Sequence, residues 1–506
     1  MKVIIFTIFF FTTLYSLGNR DYIWVLGGTN SETTTDTRFY RFNMNFNYSP
    51  VLLKHFGRYF RVHGNNASIC DLAGQLLIQT SGCYINDRLF RPMPNGKINE
   101  GYYWDYICEY GDYIIPNGSL ILNTPNKPNA YFVIHMFLDK NNNPEIKSLS
   151  VVSKLMYSVV DMTLNSGYGD VTQKNIPIVK KLLSGGYLTG VRHANNQDWW
   201  VITCELNNNS YIASLFSESG HVKNVETKLG FPNRWHDDWA GQSCFSPDGK
   251  LYAHMTTSDG LFLMDFDRTS GVLSNFRQVT TGAEANGVNQ TGGVAFSPNS
   301  RYVYMFQFYD LYQLDTWAKD LKTGLVHIDS WDGYTEPGGW GAAFNLARLA
   351  PDCKIYVSTG TSNEVMHIIH EPNEKGKACR FEQHGLHLPA INHASMPNFV
   401  NYRLGYEPIC DSTLVSVHDP LSDSERKILC WPNPVREILE VQSMIPGQSV
   451  HQVQIYDMAG RMVLDQKFIH PSSSHSIRTS GLNAGMYLLV VYMTHGSKTT
   501  EKLIIE

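Results

Sequence analysis

Short apolar runs separated by turn residues occur along almost the whole chain. Examples are "KLYAHM" from Lys250 and "RYVYMF" from Arg301, which lack the three- and four-residue spacing of an amphipathic helix. Aromatic residues make up 12% of the sequence and glycine occurs 40 times. Aromatic and β-branched side chains pack well on pleated surfaces, so the pattern predicts an all-β protein.

Three segments repeat the order of a small residue, proline, Asp or Asn, a turn residue and a β-rich run. They are "FSPDGKLYAHMTT" from Phe245, "FSPNSRYVYMFQF" from Phe296 and "LAPDCKIYVSTGT" from Leu349. Their prolines, Pro247, Pro298 and Pro351, are 51 and 53 residues apart. This period fits one four-stranded blade of a β-propeller, with the proline segment as the hairpin turn between adjacent strands.

Weaker copies of the repeat precede these three segments. They are "DLAGQLLIQTSG" from residue 71, "NKPNAYFVIHMF" from residue 126 and "NNQDWWVITCEL" from residue 195. A further blade could combine "DYIWVLGG" from residue 21 with "PNFVNYRLG" from residue 397, which would close the ring. We therefore favour seven blades over six. A stack of separate β-sandwiches fits less well, because one sandwich needs about 100 residues and the repeat period is about half of that.

The region from about residue 20 to residue 407 resembles a group of secreted bacterial β-propeller proteins related to WD-repeat-like surface proteins. The segments that carry the resemblance include "SGCYINDR", "MPNGKINEGYYWDY", "VRHANNQDWW" and "HGLHLPAINHASMPNFVNYRLG". The resemblance implies a fold and no assigned reaction, so it transfers no catalytic residue to this chain.

A second domain is predicted at the end of the chain. Residues 408–430 are polar and rich in turn residues, which is typical of a linker. From Trp431 onward, "WPNPVREILEV", "VQIYDM", "RMVLDQ" and "MYLLVVYM" alternate apolar and polar residues. This alternation predicts a small antiparallel β-sandwich of immunoglobulin-like type over residues 431–506, with Gly460 in a turn between two strands.

The tail resembles the type A C-terminal sorting domain of the type IX secretion system of Gram-negative bacteria. The matching pieces are "PNPVREILEV" from Pro432, "VQIYDMAGRMV" from Val453, "GLNAGMYLLVV" from Gly481 and the terminal "KLIIE" from Lys502. The resemblance implies export across the outer membrane, with the secretion machinery as partner, and surface attachment or release. The candidate sorting-signal residues are Pro432, Asn433, Pro434, Gly460, Gly481, Gly485 and Lys502.

The first residues suit a secretory signal. Residues 1–18 contain Lys2, an apolar run from Val3 to Leu14, and the small residues Ser16 and Gly18. We expect a signal peptide over 1–18 and a propeller over 19–407, with an uncleaved membrane anchor as the alternative. No later segment has 18 uninterrupted apolar residues, so we expect no other transmembrane span.

Charge and cysteine usage narrow the function further. The formal net charge is −5 without a long Lys/Arg block, which argues against binding to nucleic acid or to an anionic membrane surface. The nine cysteines include no C-x-x-C pair, which argues against a zinc module or a thioredoxin-like centre. Export permits disulfides, and Cys70 with Cys83 and Cys410 with Cys430 are plausible pairs.

Candidate catalytic chemistry is sparse. His236, Asp237 and Asp238 in "WHDDWAGQSCFSPDG" would suit acid–base work or cation binding, although a solvated loop explains the same residues better. His367, His370, His384, His387 and His393 lack the spacing of a metal motif, and we interpret them as ordinary histidines. Tyr102, Tyr103 and Trp104 could stack on a ligand, but core packing is the favoured interpretation.

The sequence therefore predicts a secreted or cell-surface propeller that acts as a binding or scaffold module for protein or glycan. The alternative is an extracellular hydrolase or lyase acting on polysaccharide or peptide, with His236, Asp237 and Asp238 as its candidate residues. We predict no metal and no cofactor, and binding is favoured over catalysis.

Overall fold

The computed structural model describes residues 19–27, 36–55, 64–108, 113–146, 148–234, 241–282, 292–336, 340–402, 404, 428–431, 433, 435–443, 448–457, 460–494 and 498–505. The chain divides into two compact units, residues 1–411 and residues 412–506. Antiparallel strands dominate both units, and the helices α1 Trp104–Cys108 and α2 Leu321–Gly324 are short. Within the described ranges, no helix has the length and apolar character needed to cross a bilayer.

The described part of the first unit contains seven sheets, each built from strands that follow one another in the chain. Sheet 1 contains β1 Ile23–Gly27, β2 Arg41–Asn45 and β3 Leu52–His55. Sheet 2 contains β4 Ala67–Cys70, β5 Leu76–Thr80, β6 Tyr84–Asp87 and β7 Pro92–Lys97. Sheet 3 contains β8 Ser119–Asn123, β9 Ala130–Lys140, β10 Ser150–Asp161 and β11 Asp170–Val179.

The remaining four sheets of this unit are also four-stranded. Sheet 4 contains β12 Thr189–Arg192, β13 Trp199–Cys204, β14 Ser210–Ser217 and β15 Gly220–Lys228. Sheet 5 contains β16 Gln242–Phe245, β17 Leu251–Met255, β18 Leu261–Asp267 and β19 Val272–Val279. Sheet 6 contains β20 Gly292–Phe296, β21 Tyr302–Gln307, β22 Asp310–Asp315 and β23 Leu325–Ser330, and sheet 7 contains β24 Phe344–Leu349, β25 Ile355–Thr359, β26 Ser362–Ile369 and β27 Phe381–His393.

The last strand of each sheet is less buried than the first. Every residue of β20 and β21 is buried, whereas β23 keeps a single buried residue. Burial on both faces requires a neighbouring sheet on each side. The first strands β16, β20 and β24 contact one another in turn, and β27 of sheet 7 packs on all three strands of sheet 1. The seven-bladed β-propeller predicted from the sequence is confirmed.

The six turn signatures of the sequence all join the first strand of a sheet to the second. In three of them the same position has a left-handed backbone, with φ of 71° at Gly249, 63° at Ser300 and 67° at Cys353. Glycine adopts this conformation without strain, which explains the Asp-Gly form of the signature. We call this end of the propeller the turn face; its segments are 71–75, 124–129, 193–198, 246–250, 297–301 and 350–354.

Connections of two other kinds lie at the opposite end, because adjacent strands run in opposite directions. They link the second strand to the third strand within sheets 2 to 7 and lead from one sheet to the next. We call this end the loop face; its described segments include 81–83, 98–108, 141–146, 148–149, 180–188, 229–234, 308–309, 331–336 and 340–343.

Residues 395–402 fill the propeller axis, and we call them the axial segment. The Asn398 side-chain Nδ2 lies 2.9 to 3.2 Å from three backbone carbonyl oxygens, those of Asn117, Ser119 and Leu188, which share its two N–H groups. These carbonyls lie at the starts of β8 and β12. The Arg348 guanidinium of β24 donates to Asn398 Oδ1 at 3.1 Å, so a single side chain joins sheets 3, 4 and 7.

The axial segment passes from the loop face to the turn face. Near the loop face, the Asn398 backbone N–H donates to the carbonyl of Asn66, just before β4, at 2.7 Å. Near the turn face, Asn401 Nδ2 donates to the carbonyl of Pro247 at 2.8 Å. Leu404 lies beside Gly249 in the same turn. The described chain of this unit therefore ends at the turn face.

Sheet 1 differs from the predicted composite blade. Hydrogen bonds join Arg20 to Cys70 and Ile23 to Ser68, so β1 is antiparallel to β4. The expectation that residues from 397 onward add a strand to this sheet is wrong, because residues 397–402 form no strand. The axial segment nevertheless meets sheet 1, since the rings of Phe399 and Trp24 are 6.2 Å apart.

The second unit contains two antiparallel sheets around one apolar core, as predicted. One sheet has the order β28 Ile428–Trp431, β29 Ile438–Ser443, β32 Ser474–Arg478. The other has the order β31 Met462–Ser472, β30 Val450–Asp457, β33 Gly485–Met493, β34 Lys498–Ile505. Val441 and Ile477 from the first sheet share a buried cluster with Ile455, Leu489 and Val491 from the second.

The cysteine pairs suggested by the sequence are wrong. Cys83 forms a disulfide with Cys108, and Cys70 is free and buried. Cys430 is also free, so it has no bridge to Cys410. Spacing suggested these pairs, whereas pairing depends on which thiols the fold brings together.

Two buried histidines belong to the propeller core. His254 stacks on Tyr187 with ring centroids 4.0 Å apart and faces Phe262 on its other side. His135 has both ring nitrogens within hydrogen-bond distance of Asn99 Oδ1 and Ser158 Oγ. Burial lowers the pKa of each imidazole to about 3, so both are neutral at physiological pH.

We predict that Asn398→Leu lowers the free energy of unfolding of the propeller by about 3 kcal/mol, because buried carbonyls and the Arg348 guanidinium lose their partner. Asn142→Leu, the same change at an exposed site, is the control and should shift stability by less than about 0.5 kcal/mol. Urea unfolding monitored by tryptophan fluorescence measures both. Equal stability of the two variants would contradict the role given to Asn398.

We also predict that His254→Phe makes stability less dependent on pH. The folded pKa of His254, about 3, lies below the unfolded value of about 6.5. The unfolded chain therefore takes up a proton first, and stability is lost as pH falls from about 6.5 towards 3. The slope for one histidine is at most about 1.4 kcal/mol per pH unit. Parallel stability curves for wild type and variant between pH 6 and 4 would refute this linkage.

Candidate functional site

The predicted acid–base residues His236, Asp237 and Asp238 lie outside the described residues. The described chain stops at Arg234, after β15, and resumes at Gly241, before β16. Both flanking positions belong to a connection between two sheets. The catalytic role remains a prediction that the described residues do not test.

The histidines of β26 and β27 have separate partners. His370 Nε2 lies 2.7 Å from a carboxylate oxygen of Glu382, and His393 Nδ1 lies 2.9 Å from Ser362 Oγ. His367 Nδ1 accepts the backbone N–H of His384 at 3.2 Å. In the part of the chain that the structure describes, no three His, Cys, Asp or Glu side chains converge as metal ligands.

A Ser–His–Asp group lies at the loop-face end of sheet 6 without the arrangement of a catalytic triad. His327 Nε2 is 3.0 Å from Asp310 Oδ1 and 3.2 Å from Ser330 Oγ. In a triad, the carboxylate orients one ring nitrogen and the other nitrogen activates the hydroxyl. Here both partners meet the same nitrogen, so the imidazole cannot act as a base while the carboxylate orients it.

Exposed aromatic side chains concentrate on the loop face. In the described ranges of the propeller, five of the six large aromatics that are at least 36% exposed lie there: Tyr102, Tyr106, Phe231, Tyr309 and Trp340. The sixth, Trp317, follows β22 towards the turn face. A solvent-exposed group of aromatic side chains marks a recognition surface more often than scattered single residues do.

One aromatic group occupies the connection from sheet 2 to sheet 3, where the sequence singled out Tyr102, Tyr103 and Trp104. Tyr102 is exposed, whereas the other two are half-buried and pack on neighbouring segments. The core-packing interpretation thus holds for two of the three. Sequence reasoning missed Tyr106 as a separate exposed residue, although its stretch "GYYWDYICEYGDY" was recognised as aromatic.

A second aromatic group lies between sheets 6 and 7. The ring of Trp331 stacks on Tyr309 with centroids 5.3 Å apart, and the ring of Tyr334 lies 4.3 Å from His384. Trp340 is 61% exposed. The segment "WDGYTEPGGW" carried the signal for this surface, because it places aromatics among loop-forming glycine and proline.

A half-buried carboxyl belongs to the same connection. Glu336 accepts the backbone N–H of Glu364 at 2.7 Å. Burial raises the pKa of the Glu336 carboxyl, which favours its protonated form.

In the second unit, the candidate sorting-signal residue Asn433 binds the last strand, β34. Asn433 Oδ1 accepts the backbone N–H of Ile504 at 2.8 Å, and the N–H of Val435 donates to the carbonyl of Ile504 at 2.8 Å. Pro432 and Pro434 lie outside the described residues. Lys502 pairs with Leu488 through the backbone. The segment around Asn433 therefore fastens the end of β34.

The three candidate glycines have different surroundings. Gly460 has a φ of 77° in the turn from β30 to β31, which confirms the turn predicted there. Gly485 begins β33 and pairs with Ile505. A Cβ atom at Gly481 would meet no other atom within 4 Å, and its backbone is not left-handed. The fold of the tail therefore gives no steric reason for glycine at 481.

The outer surface of the four-stranded tail sheet has an apolar hollow of about 580 Å³. Its apolar lining includes Tyr456, Met486, Leu488, Val490 and Tyr492. These side chains point away from the core, since the alternate residues Leu489 and Val491 are fully buried. The tail thus presents an apolar surface in addition to its core.

Three solved structures that are similar to this chain share little sequence with it. The periplasmic gluconolactonase PpgL of Pseudomonas aeruginosa shares 11% identity, covering 90% of this chain and 99% of its own, with a TM-score of 0.34. PorZ of Porphyromonas gingivalis, a surface component of the type IX secretion system, shares 10% identity, covering 92% of this chain and 63% of its own, with a TM-score of 0.33. The β-propeller domain of Cps50 (Swd1) from Myceliophteria thermophila shares 10% identity, covering 77% and 97%, with a TM-score of 0.29. Similarity at this level transfers no activity.

The tail gives a specific family match. No curated protein matches the chain significantly. Residues 429–506 match the family model described as the secretion system C-terminal sorting domain. This match agrees with the resemblance in the sequence and with a separately packed core of the second unit. The chain is therefore a β-propeller protein with a C-terminal sorting domain of the type IX secretion system, and it is secreted or attached to the outer cell surface.

Proposed function

We propose that the propeller is an extracellular binding module that recognises a protein or a glycan through its loop face. The main support is the axial segment. Many ligand sites are concave and lie where structural elements converge, but here Asn398 and its neighbours occupy that position. Ligand contacts would then come from the loop face, where the exposed aromatic side chains are concentrated.

The aromatic composition of this face suits recognition. Tyrosine and tryptophan offer large contact areas at a low cost in conformational entropy, and both carry a polar group for orientation. Tyr102 and Trp340 lie on different sheet-to-sheet connections, so the loop face offers more than one contact region. This arrangement fits a macromolecular ligand better than a single small molecule.

An extracellular hydrolase or lyase is the second candidate function. The supporting observation is Glu336, because a general acid requires a carboxyl whose pKa is raised. Exposed Trp340 belongs to the same connection and would suit a polymer substrate. The predicted residues His236, Asp237 and Asp238 would supply further acid–base groups in this function.

For the tail, we propose that the secretion machinery recognises the surface formed by the candidate sorting residues and the neighbouring sheet. Asn433 would hold the end of β34 in place, and Gly481 would serve contact rather than folding. We assign contact with the machinery to the apolar hollow beside Tyr456 and Leu488, because an apolar surface exposed to water often marks an interaction site.

We predict that deletion of residues 431–506 retains the propeller inside the cell envelope, because the propeller loses its export signal. Fractionation of cells and medium, followed by immunoblotting of the propeller, measures the outcome. Accumulation in the periplasm is the expected result. Appearance outside the cell at the wild-type level would contradict a sorting function of the tail.

A single substitution separates recognition from folding in the same assay. Gly481→Ala should leave the unfolding midpoint unchanged, because the added methyl group meets no other atom. Its export should nevertheless fall if the machinery contacts this position. Ser480→Ala at the adjacent exposed residue is the control. Normal export of the Gly481→Ala variant would show that Gly481 is not part of the surface that the machinery recognises.

We predict that the exported protein binds members of a peptide and polysaccharide panel without turning them over. Glu336→Gln and the double variant Asp237→Asn, Asp238→Asn should leave binding unchanged. Product analysis by mass spectrometry after long incubation tests turnover. Turnover in the wild type that either variant abolishes would establish the enzyme function in place of the binding function.

A further inference from the structure

The connection from sheet 2 to sheet 3 is fixed to the propeller at several points. Gly101 touches the ring of Phe137 so closely that a Cβ atom would lie 2.7 Å from it. Tyr103 Oη donates to the carbonyl of Leu149 in the β9–β10 hairpin at 2.6 Å. Only glycine permits the first contact, and the second joins the connection to a neighbouring loop.

Three further contacts fix residues 104–108. The Lys97 ammonium lies 3.5 Å from the centre of the Trp104 ring, and Tyr84 meets this ring edge-on at 5.5 Å. The disulfide between Cys83 and Cys108 ties the end of α1 to the β5–β6 turn. Residues 101–108 are therefore held in one conformation before any ligand arrives.

Between these contacts, the structure leaves three large side chains in solvent. Tyr102 is 69% exposed, Tyr106 is 72% exposed, and Leu149 is 88% exposed. We call these three residues the tyrosine patch. The Tyr103 bond to Leu149 brings the two segments together, and Lys140 lies 5.6 Å from the centre of the Tyr102 ring.

Such a rigid, exposed group adds little to folding. An aromatic side chain buries about 150–250 Å² when it is fully covered, so the three residues leave on the order of 400 Å² uncovered. This area is within the range of patches that are often functional on monomeric proteins. It is also about half of one side of a standard protein interface, roughly 800 Å².

The side chains favour a protein over a glycan as the occupant. The side chain of Leu149 offers no hydrogen bond, and the hydroxyl of Tyr103 already donates to the backbone carbonyl of Leu149. The Trp104 indole nitrogen is buried, so it cannot reach a sugar hydroxyl. What remains outside is an aliphatic side chain and two tyrosine rings with their hydroxyls near a cation. Tyrosine is enriched at the centres of protein interfaces, so this group suits a protein partner.

We propose that the tyrosine patch is the centre of a docking site for a protein partner that presents an apolar hollow with acidic side chains at its rim. The inference rests on the proposed binding function and names its partner class. Tyr102 and Tyr106 insert into the hollow, and Lys140 faces the acidic rim. The disulfide and the Tyr103 bond lower the entropy lost on docking, because the loop is ordered in advance.

Panning a phage-displayed library of random peptides on the full-length exported protein tests the proposal. We expect enrichment of peptides that combine apolar and acidic residues. The double variant Tyr102→Ser, Tyr106→Ser should bind them at least about tenfold more weakly, because anchor residues dominate interface affinity. Trp317→Ser, which changes an exposed aromatic residue elsewhere on the propeller, is the matched control and should bind normally.

Two measurements guard against a folding artefact. The unfolding midpoint of the double variant should equal that of the wild type, since both rings are exposed. Hydrogen exchange on the wild type with bound peptide should show protection at residues 101–106 and 148–149.

The double variant Cys83→Ser, Cys108→Ser should bind about tenfold more weakly when folded, because the loop is no longer ordered in advance.

The outcomes separate this inference from the proposed function. Failure to enrich any peptide, or equal binding by wild type and the tyrosine variant, overturns the docking site. Binding of a glycan array that the tyrosine variant loses overturns the partner class. Binding that depends on Trp340 and ignores the patch overturns this inference and leaves the proposed function intact. Turnover without stable binding would overturn the proposed function itself.

Discussion

The structure depends on how a seven-sheet ring satisfies the backbone carbonyls that converge on its axis. Buried carbonyls without a donor destabilise a fold, and the starts of β8 and β12 direct three of them at one point. Asn398 supplies the donor, and its own oxygen is bound by Arg348. Burial lowers the pKa of this arginine to about 10, so it remains a cation at neutral pH. Asn398, near the end of the propeller chain, thus stabilises strands that lie between 210 and 281 residues before it in the sequence.

This constraint bears on the function proposed for the propeller. Because the axial segment occupies the axis, we propose that ligand contacts come from the loop face, where the exposed aromatic residues lie. The described propeller chain ends at the turn face, beside Gly249. The tail has its own core of Val441, Ile455 and Leu489, so a separate body carries the export signal.

Local chemistry made much of this fold predictable. The turns at Gly249, Ser300 and Cys353 occupy equivalent positions because a proline, an acid or amide, and a left-handed residue specify the same hairpin within a few residues. The tail strands followed from alternation in the same way. Periodicity near 50 residues predicted the propeller. The choice of seven blades over six rested on a further blade at the chain ends, of which sheet 1 is present without the added strand.

The failures share a different physical origin. The partners of Asn398 lie between 210 and 281 residues away, so nothing near it in sequence reveals its role. The same holds for Cys83, whose proximity to Cys70 in sequence was misleading. Exposure at Leu149 and Trp340 depends on loop packing, which spacing does not encode. The sequence therefore revealed the aromatic stretch from Gly101 to Tyr113 but favoured core packing for it, and it did not show which residues are exposed.

Amide hydrogen exchange of the axial segment tests the account most directly. The backbone N–H groups of Asn398 and Asn401 donate to the carbonyls of Asn66 and Gly190 inside the ring. They should exchange as slowly as amides of the fully buried strand β21, with free energies of opening close to that of global unfolding. Exchange at the rate of an exposed loop would show an open axis and contradict the central claim.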